Sequence, residues 1–178
     1  APDGTVSIGG IVLRAGEGRP GLADWVLRQP ALAILGASVS WLDEQRGAPE
    51  LRLEQVTARL VNDFHRHRFG LQARGPDGVL GSIDLRADLA GRSVRDPREW
   101  QGQLYLRIEG ANLAAYKQWI DLPVDVDRGQ GTLRLWADLA EQRVTAVTTD
   151  VHLADVVATL GPGLAPLALD ELAGRVGW

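Results

Sequence analysis

The residues of this chain that could carry chemistry are few, and each has an ordinary structural alternative. His65 and His67 flank Arg66. Positions i and i+2 of a strand project from one face, so the two imidazoles could share one cation, with a third ligand from His152 or a distant carboxylate. Two solvated or hydrogen-bonded imidazoles at a polar strand start account for the same residues, and no metal site is assigned. Asp125 and Asp127, next to Gly129, could bind calcium or do acid–base work. The segment lacks the full calcium-loop pattern, and Arg128 can neutralise a neighbour, so it reads as a solvated turn. Gly9-Gly10 reads as a kink or bulge in an early strand rather than a phosphate cradle. Walker A, GxSxG, HExxH and SxxK patterns are absent, and Ser7, Ser38, Ser40, Ser82 and Ser93 sit in no recognisable nucleophile setting. We therefore assign no catalytic residues and no cofactor.

Composition narrows the classes further. The 178 residues carry 19 basic and 23 acidic side chains, a net charge of −4 spread without blocks, which leaves no electrostatic footprint for nucleic acid. Lys117 is the single lysine, so the arginine bias reads as codon usage rather than phosphate recognition. With zero cysteine there is no disulfide or thiol chemistry, and no indication of redox compartment. No window of about 18 uninterrupted apolar residues and no signal peptide is visible. The absence of methionine, and a final Gly174-Arg175-Val176-Gly177-Trp178 that reads like a strand cut in mid-course, suggest a slice of a longer chain whose ends are arbitrary.

What remains is alternation with a period of two, the pattern of a half-buried strand. Leu51 and Leu53 are followed, after a phase slip that predicts a bulge near Glu54-Gln55, by Val56, Ala58 and Leu60. Phe69, Leu71 and Ala73 share a face. So do Ile83, Leu85, Ala87 and Leu89; Leu104, Leu106 and Ile108; Leu133, Leu135, Ala137 and Leu139; and Val147, Thr149, Val151 and Leu153. Turn residues at Gly75-Pro76-Asp77-Gly78 and Arg128-Gly129-Gln130-Gly131 suit antiparallel hairpins. Two short helices are predicted, one through Leu22, Trp25, Val26 and Gln29 ending at Pro30, and one from an Asn112 cap through Leu113, Tyr116 and Ile120 to Pro123.

Residues 84–94 overlay 134–144 with six identities at an offset of 50, which fits an architecture extended by similar β-units. Trp25, Trp41, Trp100, Trp119 and Trp178 are expected in the core. Trp136 falls opposite Leu135, where it meets a covering element, solvent, lipid or a partner. The apolar strand faces are either the core of a closed globule or the lining of an open trough, and periodicity does not distinguish the two.

From about Leu51 to Trp178 the chain resembles the central region of YhdP-type proteins of the AsmA-like superfamily, which also includes TamB. The resemblance rests on Leu51 to Val56, His65 to Leu71, Trp100 to Tyr105, Trp119 to Pro123, Gly129 to Asp138 and Leu172 to Trp178, in matching order and spacing; residues 1–50 match weakly. It implies a mainly β fold, a long antiparallel twisted sheet curled into a groove with one or two short helices, with residues 1–178 forming one β-rich fragment of a longer periplasmic protein anchored in the inner membrane. It implies passive, non-enzymatic phospholipid transport between the inner and outer membranes. Phe69, Leu71, Ile83, Leu85, Leu89, Leu104, Leu106, Ile108, Leu133, Leu135, Leu139, Val151 and Leu153 would line the trough. Phospholipids are the expected partners, with other envelope proteins beside them. The alternative is an assembly module for outer-membrane biogenesis that works by strand addition at an open edge. A carbohydrate-active or metal-dependent enzyme ranks third.

Overall fold

A computed structural model describes residues 5–8, 11–14, 25–42, 47–92, 99–119 and 124–178. Gly9, Gly10, Leu22, Ser93, Val94, Ile120 and Pro123, which figure in the sequence expectations, lie outside the described residues. The alternating segments form strands as the period of two requires: β1 Thr5–Ile8, β2 Ile11–Arg14, β3 Ala31–Trp41, β4 Leu51–Asp63, β5 Arg66–Arg74, β6 Ser82–Ala90, β7 Gln101–Asn112, β8 Asp125–Ala140, β9 Arg143–Thr159 and β10 Leu167–Gly177. β1 and β2 make a separate antiparallel pair. The other eight form one antiparallel sheet in strict chain order from β3 to β10, open and at most slightly curved.

Register is what turns eight strands into two faces. Directly paired residues of antiparallel neighbours share a face, and one row runs through every strand: Ile34, Ala58, Leu71, Leu85, Leu106, Leu135, Thr149 and Val176. Beside it lies a second row, Leu60, Phe69, Ala87, Leu104, Ala137 and Val147, in which large and small side chains alternate. Phe69 and Leu104 shield the alanines, so that Ala87 and Ala137 are buried although no second sheet among the described residues covers them. The 50-residue repeat has a structural meaning here. Leu85 and Leu135 both pair with Leu106, Ala87 and Ala137 with Leu104, and Asp88 and Asp138 with Gln103, so the related strands β6 and β8 flank β7 in equivalent register.

Small clusters close the ends of the sheet. Val126, Val156 and Ala158 are buried together, with Leu113, Val124, Leu153 and Leu169 packed on them. Leu113 is delivered by a one-turn helix, Leu113–Tyr116, whose Asn112 cap accepts a hydrogen bond from the Ala115 amide at 3.2 Å. At the opposite end His67 is buried. Its Nδ1 lies 2.7 Å from Asn62 Oδ1 and its Nε2 lies 2.9 Å from the Gly91 carbonyl, and its ring stacks on Trp100 at 5.1 Å. Asn62 Nδ2 in turn donates to the carbonyls of Val26 (2.9 Å) and Gln29 (2.6 Å), tying the helical turn over residues 25–28 to β4.

Three expectations are corrected. Arg128-Gly129-Gln130-Gly131 is not a turn but lies within β8, where a Cβ on Gly131 would come within 2.0 Å of the His152 carbonyl oxygen; the glycine permits close strand approach. The second helix stops after one turn at Tyr116. Trp25, Trp41 and Trp178 are exposed, because a single layer offers no interior for so many indoles; Trp119 is buried, its Nε1 donating to the Pro49 carbonyl at 2.9 Å, and Trp100 is half-buried. The bulge near Glu54-Gln55 is present, with Gln55 at φ 52° and a register shift between Glu54 and Thr57.

The Asn62 node bonds three chain segments through one half-buried side chain. Asn62→Ala is expected to cost about 1–3 kcal/mol, since it leaves the Gln29 carbonyl and a His67 nitrogen without their partner and removes one of two donors from the Val26 carbonyl. A urea unfolding curve with an unchanged midpoint would contradict that role.

Candidate functional site

The sheet presents two chemically distinct faces. All thirteen residues expected to line a trough are half-buried. Register places Phe69, Leu71, Ile83, Leu85, Leu89, Leu104, Leu106, Ile108, Leu133, Leu135, Leu139 and Val151 on one face, and Leu153 continues the alternation of Val151 along β9. Leu153 differs from the others in packing against the buried cluster at the end of the sheet, so it marks the boundary of the open face. Among the described residues no further strand or helix layer spans this face.

The opposite face is polar and carries ion pairs between or along neighbouring strands. Arg66 grips Asp88 with two hydrogen bonds of 2.7 Å, Arg86 grips Asp84 at 3.0 and 2.6 Å, and Arg175 reaches Asp150 at 2.7 Å through its Nη2. Each arginine hydrogen bond holds its carboxyl below the ordinary carboxylate value, with burial opposing the shift. The sequence singled out Trp136 as pointing away from Leu135, and it does: it is 37% exposed and lies 5.5 Å from the ring of Tyr105, its directly paired neighbour. Arg86 stands 5.7 Å over the other side of this pair, at the Tyr105 ring. Gly70, in the same cross-strand row, removes a side chain from it, and a depression of about 770 Å³ opens around that gap. The depression was not anticipated. Its only sequence signals were the outward Trp136 and a glycine in the middle of an otherwise regular strand.

The candidate ligating residues go elsewhere. Both nitrogens of His67 are engaged by oxygen atoms, while His65 is exposed in the β4–β5 turn, so the two do not converge. Among the described residues no three His, Asp or Glu side chains are grouped to hold a metal ion. Asp125 pairs with Lys117 rather than with Asp127. The Tyr116 hydroxyl is buried without a hydrogen-bond partner among the described residues, and burial pushes its pKa up to about 12.

An open, single-layered antiparallel sheet with one apolar and one charged face is the architecture of an elongated scaffold or binding surface. The family model for the YhdP protein matches residues 6–178, and the chain belongs to that family, that of an AsmA-like envelope protein. It is not a known enzyme family. No curated protein and no solved structure matches the chain. No helix among the described residues is long and apolar enough to cross a membrane.

The ion pairs predict how the fold meets acid. Asp84, Asp88 and Asp150 titrate lower when folded than their ordinary 3.8, so their stabilisation is complete above that value and is lost as pH falls through the lowered values. The urea midpoint should be flat from pH 7 to about 5 and decline below about 4. Replacing all three by asparagine should make that acid limb shallower, and an identical limb in the triple variant would show that these pairs do not set it.

Proposed function

We propose that this chain is a non-enzymatic lipid-handling segment whose apolar face carries phospholipid acyl chains passively between the inner and outer membranes, in a periplasmic protein anchored in the inner membrane. The observation that carries the reading is the uninterrupted cross-strand row from Ile34 to Val176, lying on a face that no second layer covers among the described residues. Strands spaced by roughly 4.8 Å make that row about 34 Å long, more than the roughly 15 Å occupied by the chains of one bilayer leaflet. A lipid tail can therefore lie along it at full length and still have room to move to the next position.

The energetics favour holding with sliding. Each buried CH₂ contributes about 0.8 kcal/mol, so a tail is retained, but the interaction is non-directional and nearly the same at each step along the row. A slight curvature that deepens on loading would make the face a groove, leaving the headgroup in water. The outer edges of β3 and β10 are unpaired among the described residues. They favour a second reading, in which an envelope protein or a further part of the same chain adds a strand there.

Purified chain from a bacterial periplasm should yield phospholipid on organic extraction and mass spectrometry. Leu85→Arg with Leu135→Arg places two cations in the middle of the row and should reduce the bound lipid by about tenfold or more. Thr148→Arg, on the opposite face, should leave it unchanged. Circular dichroism matching the parent must accompany each result. Equal lipid in the parent and the folded double variant would overturn the proposal.

A further inference from the structure

The depression around Gly70 lies on the charged face, opposite the apolar row, and lipid carriage leaves it unused. Most of its lining residues fall in three adjacent cross-strand rows of that face: Thr57, Gln72 and Asp84; Arg59, Gly70, Arg86, Tyr105 and Trp136; and Val61, Arg68, Asp88, Gln103 and Asp138; Phe69, Leu71, Ala87, Leu104 and Ala137, which alternate with them along the strands, complete the lining. Its volume of about 770 Å³ suits a small-molecule or oligomer subsite rather than a single ion.

The groups around it are sorted by chemistry. At one side Tyr105 and Trp136, tilted by 48°, make an aromatic corner. Arg86 is held by Asp84 and Asp88 by Arg66, so these charges are already satisfied. Arg59 and Arg68, both exposed, donate no side-chain hydrogen bond to a described residue; Arg68 stands directly across from Asp88 and helps hold its carboxyl below the ordinary value. Gln103 Nε2 donates to Asp138 Oδ1 at 3.0 Å, which leaves the other carboxylate oxygen free to accept. A cation pair on β4 and β5 thus faces an aromatic corner on β7 and β8, with Asp84, Arg86 and Asp88 of β6 between them and Gln103 and Asp138 beside the corner.

We propose that this depression binds an acidic saccharide. The C–H face of a pyranose carries partial positive charge and lies against the electron-rich face of Trp136, the Tyr105 ring being already covered by Arg86. Its hydroxyls meet Gln72, Gln103 and Asp138. The carboxylate or phosphate of the same or the next sugar meets the forked donors of Arg59 and Arg68. The arrangement selects for a ligand that is both ring-shaped and anionic: a neutral sugar leaves the arginines unused, and an inorganic anion leaves the aromatic corner unused.

Gly70 supplies a direct test. A Cβ built there has nothing within 4 Å, so Gly70→Leu starts its side chain into open space and obstructs the depression. Tryptophan fluorescence and calorimetric titration of the purified chain with hexagalacturonate should show saturable binding, weakened about tenfold or more by Gly70→Leu, by Trp136→Ala, and by Arg59→Ala with Arg68→Ala. Maltohexaose should bind the parent about tenfold more weakly and should not be affected by the arginine variants. Sugar phosphates competing with hexagalacturonate would extend the acid group to phosphate. The proposal is overturned if hexagalacturonate fails to saturate, if the Gly70→Leu protein binds it like the parent, or if inorganic phosphate displaces it at equal concentration. Lipid recovered by extraction should be the same in the Gly70→Leu and parent proteins, so this test and that of lipid carriage fail independently.

Discussion

The antiparallel ladder running without a crossover from β3 to β10 is the constraint on which the rest of the structure depends. Because paired residues share a face, a one-residue slip in any strand would move its leucines into the charged face and its arginines into the apolar one. The ion pairs help hold register as well as contribute charge. Arg66 with Asp88 ties β5 to β6, and Arg175 with Asp150 ties the edge strand β10 to β9. Where register does shift, as between Ile108 and Ala111 or between Glu54 and Thr57, the shift lies toward the end of the sheet and beyond the long Leu85–Leu106–Leu135 row.

A single layer cannot build the interior of a sandwich, and the structure compensates in two ways. Alternating large and small residues within a row allow neighbours on one face to shield each other, as Phe69 and Leu104 do for Ala87. Local clusters then secure the ends: Val126, Val156 and Ala158 under Leu113, and His67 between Asn62, Gly91 and Trp100. Between these ends the sheet leaves one face apolar and uncovered and the other charged and indented. Membership of the YhdP family is consistent with a role in the envelope, where both an acyl chain and a surface sugar are within chemical reach.

Much of the fold was legible in the sequence because the strand period is two and the apolar faces are long. The strands through Leu85, Leu106 and Leu135 are regular enough that their faces follow from alternation, and the 50-residue repeat marks β6 and β8 as equivalent. The turns were less legible. The β8–β9 reversal at Glu141-Gln142 has positive φ at both residues, 51° and 64°, yet contains no glycine or asparagine, so nothing in composition announces it. Conversely, Gly129 and Gly131 look like a turn but serve close strand contact inside β8.

Sequence alone determined which side chains share a face, since alternation along a strand is a local property of the extended backbone. It likewise determined that Trp136 points away from the leucines. Only the tertiary structure decided that no second layer among the described residues covers the apolar face, that Gly70 falls in the same cross-strand row as Arg86, Tyr105 and Trp136, and that His67 is enclosed rather than available as a ligand. These outcomes depend on which strands become neighbours and in what register, and that is settled by contacts between residues tens of positions apart, which no local pattern encodes.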